Sequence, residues 1–103
     1  MRLIDLEPQF RTFIKQDGKV FLGKPQTLAE AQGITFDCPR CKSGHWIGIW
    51  FADKGAPEEA EPLPRWKVSG TGYDDLTVSP SVDAGPDCWH GFITNGEIVG
   101  GLP

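Results

Sequence analysis

The sequence predicts a mostly β fold: a small single-domain sandwich or barrel-like sheet of short antiparallel strands, stapled by a zinc site. Three observations carry this expectation. Short runs rich in aromatic and β-branched residues recur at hairpin-like spacing, about seven or eight of them in the chain. Thirteen glycines and nine prolines among 103 residues make the chain too turn-rich for a helical bundle. Two clusters of metal-ligating residues, Cys38-Pro39-Arg40-Cys41 and Cys88-Trp89-His90, lie far enough apart to tie the middle of the chain to its end.

Taken in order, Arg2 to Glu7 alternates and is interrupted by Pro8. Phe10 to Lys15 reads as a strand, Asp17-Gly18 as a turn, and Lys19 to Gly23 as the hairpin partner. Thr27 to Gln32 has a cap residue, Glu30 at capping-box spacing and a following Gly33, and is compatible with one or two helical turns or with an irregular loop. Ile34 to Phe36 leads as a short strand into Cys38. His45 to Phe51 is the clearest strand. Trp46, Gly48 and Trp50 fall on one face, Ile47, Ile49 and Phe51 on the other, and two apolar faces predict a central strand. Asp53 to Pro64 is acidic and Pro-rich, and reads as an exposed, mobile loop within a single domain spanning 1–103. Arg65 to Ser69 and Asp75 to Ser79 read as further strands, the second closed by Pro80. Gly91 to Thr94 and Glu97 to Val99 flank Asn95-Gly96, whose tolerance of positive φ suits a two-residue type I′ turn.

Composition excludes several functions. The longest uncharged apolar stretch, Trp46 to Ala52, is too short to span a membrane. Residues 1–51 carry a net charge of +2 and residues 52–103 a net of −6. That acidic half opposes nucleic-acid binding, which needs clustered Lys and Arg to displace counterions. The opening Met-Arg-Leu-Ile-Asp-Leu-Glu places acids where an export signal needs an apolar run. The expectation is a cytoplasmic protein whose cysteines are reduced.

The chemistry therefore centres on the cysteines. A C-x₂-C knuckle brings two sulfurs to one point. Cys88 and His90 are two residues apart, so on an extended strand they would share a face. Together Cys38, Cys41, Cys88 and His90 form a Cys₃His set suited to tetrahedral Zn²⁺, with His45 as the alternative fourth ligand. A closed four-ligand site is structural. Were His90 not a ligand, three cysteines and a water would leave an open site, with Glu97, Asp87 or His45 as candidate bases. No dinucleotide fingerprint, Walker sequence or nucleophilic serine motif is present.

The stretch Leu76-Thr77-Val78-Ser79-Pro80-Ser81-Val82, followed by Cys88-Trp89-His90-Gly91-Phe92-Ile93-Thr94-Asn95-Gly96-Glu97-Ile98, resembles a family of small uncharacterised phage and prophage proteins. Some of its members carry the label ammonia monooxygenase. The resemblance implies a phage-derived zinc-binding β domain, not a copper membrane enzyme. One methionine and two histidines offer little for copper.

The expected function is a non-enzymatic, zinc-stapled interaction module for a host or phage protein. Trp50, Trp66, Glu58, Glu59 and Glu61 are its candidate contact surface. The alternatives are a metal-dependent enzyme with an open three-ligand site, and a zinc-ribbon-like nucleic-acid binder using Arg40 and Lys42.

Overall fold

The computed structural model describes residues 1–41, 45–57, 65–85 and 88–101. They form two four-stranded antiparallel sheets packed face to face, as the expected fold class requires. The first sheet holds β1 (Gln9–Gln16), β2 (Lys19–Gly23), β3 (Gly33–Asp37) and β4 (Trp46–Trp50), in the order β2-β1-β3-β4. The second holds β5 (Lys67–Ser69), β6 (Thr77–Asp83), β7 (His90–Thr94) and β8 (Glu97–Val99), in sequence order.

Period-2 alternation builds the core. Phe10, Ile34, Phe36, Ile47 and Ile49 point inward from the first sheet. Val78, Val82, Ile93 and Ile98 point inward from the second. Each such side chain contributes roughly 1.5–3 kcal/mol by leaving water. Leu3, Leu6, Leu28, Leu76, Trp66 and Trp89 close the ends of this core. Trp89 is fully buried, stands edge-on to Phe36 and donates Nε1–H to the Gly100 carbonyl at 2.8 Å. Leu3–Leu6 and Leu28–Glu30 are single 3₁₀ turns. In the second, the Thr27 hydroxyl bonds the Glu30 carboxylate at 2.8 Å and caps no backbone N–H.

Both hairpin turns are where the sequence places them. Asp17 and Gly18 have φ of 53° and 74°, and Asn95 and Gly96 have φ of 50° and 76°. These are the positive values that a type I′ turn imposes on both central residues. A Cβ on Gly96 would also run into the Asp74 carbonyl.

Two strand expectations are corrected. β4 lies at the end of its sheet, not at the centre. Its second apolar face is covered from within the sheet: Phe13 of β1 packs on Trp50 at 4.8 Å between ring centroids, while Trp46 stays 58% exposed. β6 continues through Pro80 instead of stopping there. The register with β7 shifts between Val78 and Val82, and proline is tolerated at such a bulge because no ladder N–H is needed.

The two sheets meet at a corner. Trp66 N–H donates to the Trp50 carbonyl at 3.0 Å, and Ala52 N–H to the Trp66 carbonyl at 2.7 Å. Trp50 and Trp66 are each only 5% exposed, so the proposed aromatic contact surface is corrected: both serve packing. Glu58, Glu59 and Glu61 lie outside the described residues.

Asp75 organises the turn ahead of β6. Its carboxylate accepts the Thr71 N–H at 2.8 Å, the Gly72 N–H at 2.9 Å and the Thr71 hydroxyl at 2.9 Å. Those donors, the Thr71 N–H foremost, hold its pKa below the usual 3.8.

Two outcomes are expected from this packing. Gly96→Ala should lower unfolding stability by about 1–3 kcal/mol in denaturant titration, through forced positive φ and the Asp74 clash. Asp75→Ala should also destabilise. Because the folded pKa is depressed, that deficit should be full above pH 3.8. The part of it that depends on the carboxylate's charge should be lost as pH falls through the lower folded pKa.

Candidate functional site

The cysteine cluster is assembled from three places. Cys38 follows β3 and is buried. His45 precedes β4, and the β3–β4 ladder extends to them: Cys38 N–H donates to the His45 carbonyl at 3.0 Å. Cys41 N–H donates to Cys38 Sγ at 3.4 Å, the backbone-to-sulfur bond that stabilises a thiolate knuckle. Cys88 arrives from the other sheet, in a turn where its N–H bonds the Gly85 carbonyl at 3.1 Å. The ligand atoms of Cys38, Cys41, His45 and Cys88 all lie within 4.8 Å of one another.

Three soft sulfurs and one imidazole nitrogen fit a metal ion. Cys88 Sγ and His45 Nδ1 stand 3.6 Å apart. A tetrahedral site with Zn–S near 2.3 Å and Zn–N near 2.05 Å requires an S···N edge of about 3.6 Å. The Cys41 and Cys88 sulfurs are at disulfide distance, with Cα atoms 5.7 Å apart. The same cysteines thus support two covalent states, a disulfide with a free Cys38 thiol or a thiolate set around one ion. The knuckle N–H···S bond and the approach of His45 to Cys88 suit the thiolate set, and the separation of the Cys41 and Cys88 sulfurs suits the disulfide.

The histidine assignment changes accordingly. His45, the alternative ligand, joins the cysteines; His90 does not. The shared-face argument required Cys88 and His90 on one strand, but β7 begins at His90 and Cys88 sits in the preceding turn. The signal for His45 was local: it stands four residues after Cys41, and the β3–β4 ladder brings residue 45 to residue 38. Of the candidate bases, Glu97 instead pairs with Arg2 at 3.0 Å, and Asp87 lies outside the described residues, as does Lys42.

His90 has another partner. Its Nε2 lies 3.3 Å from Ser81 Oγ. The β6–β7 register places Asp83 directly opposite His90 and Val82 opposite Gly91. Ser81, Asp83 and His90 therefore share the face of the second sheet that points away from the core. The Ser81 carbonyl accepts Trp66 Nε1–H at 3.1 Å, and the Gly85 N–H donates to Asp83 Oδ1 at 2.9 Å. A serine hydroxyl within hydrogen-bond reach of an imidazole has the arrangement that a nucleophile and its general base require. Sequence reading missed this pair because no linear motif encodes it; the two residues meet only through cross-strand pairing. The available signal was elimination: with His45 taken by the knuckle, His90 is the one remaining histidine of two in the chain.

No helix among the described residues is long and apolar enough to cross a membrane. No curated protein and no solved structure matches the chain. Residues 9–100 match the family model described as bacterial ubiquitination-like system serine protease (BubE). That family is named for an enzyme, which corrects the expectation of a non-enzymatic module. The match spans most of the chain, and the protein belongs to the BubE family of bacterial ubiquitination-like system serine proteases.

Proposed function

We propose that this protein is a serine peptidase acting on a polypeptide of a bacterial ubiquitination-like system, with Ser81 as nucleophile and His90 as general base. The observation that carries the reading is the 3.3 Å approach of Ser81 Oγ to His90 Nε2, within a family named for serine proteases. In this reaction Ser81 Oγ attacks the scissile carbonyl carbon while Nε2 accepts its proton. The same proton passes from Nε2 to the leaving amine as the C–N bond breaks, leaving an acyl ester on Ser81. Water then attacks the ester, again giving its proton to Nε2, and Ser81 is restored. Asp83 stands opposite His90 in the β6–β7 register, on the face that carries the pair.

We assign Zn²⁺ to Cys38, Cys41, His45 and Cys88. Bound there, the ion supplies a structural cross-link between the two sheets and leaves no open position for catalysis. Cys88 is two residues from His90, and the intervening Trp89 is fully buried. The cross-link thus holds the strand that presents the base.

An alkyl fluorophosphonate should label the protein, with the adduct mapped to Ser81 by peptide mass spectrometry. Ser81→Ala should abolish labelling, and His90→Ala should slow it by about 10³-fold, with melting temperatures little changed. Labelling of a different residue, or normal labelling of His90→Ala, would sink the assignment. For the metal, native mass spectrometry of the reduced protein should show one zinc per chain. Cys38→Ser and His45→Ala should lose it and melt about 10 °C or more lower; His90→Ala should retain it. A reduced chain that binds no zinc would overturn this part.

A further inference from the structure

β2 is the end strand of the first sheet, with β1 on its inner side. Its apolar side chains face water: Val20 is 55% exposed, Phe21 51% and Leu22 40%. Ile14, opposite Phe21 on β1, is 44% exposed. Ile14 lies on the same side of β1 as the buried Phe10, so the second sheet does not cover this end of the hairpin. Edge strands are ordinarily kept apart by a charge, a proline or a bulge, and β2 has none of these from Val20 to Leu22.

The backbone of this edge is open as well. The two-residue Asp17-Gly18 turn makes Gln16–Lys19 a hydrogen-bonded pair, and alternation makes Ile14–Phe21 the next. Lys15–Val20 and Phe13–Leu22 are then the pairs without ladder bonds. Phe13 shows this directly, because its N–H turns away from β2 and donates to Gln32 Oε1 at 2.7 Å. The N–H and C=O of Val20 and Leu22 therefore point outward, and no group among the described residues bonds them.

We propose that the occupant of this edge is a second copy of the chain, paired β2 to β2 antiparallel about a two-fold axis at Phe21. The register is self-complementary. Val20 of each copy stands opposite Leu22 of the other, and each such pair exchanges both N–H···O bonds. Within β2 no other antiparallel register uses all the outward groups of both copies. Phe21 meets Phe21 of the second copy across the axis as a non-hydrogen-bonded pair, with Cα atoms about 4.5 Å apart. Ile14 flanks each ring from the neighbouring strand. The charges also fit. Lys19 stands opposite Gly23, and Lys24 comes to the turn that holds Asp17, so no lysine faces a lysine. The interface uses no residue of the Ser81–His90 pair or of the cysteine cluster, and it is independent of both assignments.

Sedimentation equilibrium of the whole reduced chain from about 1 to 300 μM should show the mass doubling, since an interface this small belongs to the weak class. Over that range, amide hydrogen exchange at Val20 and Leu22 should slow about 10-fold. Phe21→Lys sets two lysines against each other on the axis. It should stay monomeric at the top of the range and lose the slowing at Val20 and Leu22. Its melting temperature at the lowest concentration should be little changed, because Phe21 is outside the core. Phe21→Cys should give a disulfide-linked dimer with oxidised glutathione beyond the wild-type level, and Lys19→Cys, opposite Gly23, should not. A single mass at every concentration would overturn the proposal, and so would unchanged exchange at Val20 and Leu22. A monomer that binds anionic lipid vesicles through this hairpin would overturn it in favour of a membrane. Doubling that survives in Phe21→Lys, or cross-linking through Lys19→Cys and not Phe21→Cys, would place the contact elsewhere and overturn it too.

Discussion

The pairing of β6 with β7 is the constraint on which the rest of the site depends. The register Asp83 to His90 puts Ser81 beside the imidazole and places a carboxylate opposite it. The alternation of that ladder also decides which backbone groups of β6 are spent on β7 and which point away from it. A one-residue slip of β6 against β7 would turn Ser81 to the core, expose Val82 and part Ser81 from His90. The buried faces of both strands therefore lock the face that carries Ser81 and His90 in position.

This pairing is held at its open end by groups that are not themselves reactive. Trp89 sits between Cys88 and His90, buried against Phe36 and tied to Gly100. On one side of it the chain turns into the cysteine cluster; on the other it becomes β7. A small domain has little core to spare, so a cross-link between sheets is worth more here than in a larger one. The cluster and the Ser81–His90 pair are thus separate in chemistry and coupled in mechanics. The first holds the strand end, and the second uses the strand's outward face.

Much of the fold was legible in sequence because it follows from local rules. Asp17-Gly18 and Asn95-Gly96 can occupy the positive-φ turn positions that other residues resist, and the flanking alternation sets each hairpin. The misread elements were those where a neighbour altered the local rule. β4 carries two apolar faces and suggests a central strand, yet Phe13 covers the second face from within the same sheet. Pro80 suggests a strand end, yet a bulge admits it.

The sequence by itself determined the β class, both two-residue hairpin turns and the three cysteines of the cluster, since these depend on residue type and short spacing. It also showed that the chain holds two histidines, His45 and His90. Only the tertiary structure decided which histidine does what. His45 returns to Cys38 by closure of the β3–β4 ladder, and His90 meets Ser81 by cross-strand register. Spacing along the chain cannot distinguish these outcomes. The partner of a strand residue is set by which strands pair and in what register, and those are settled by burial of the opposite face.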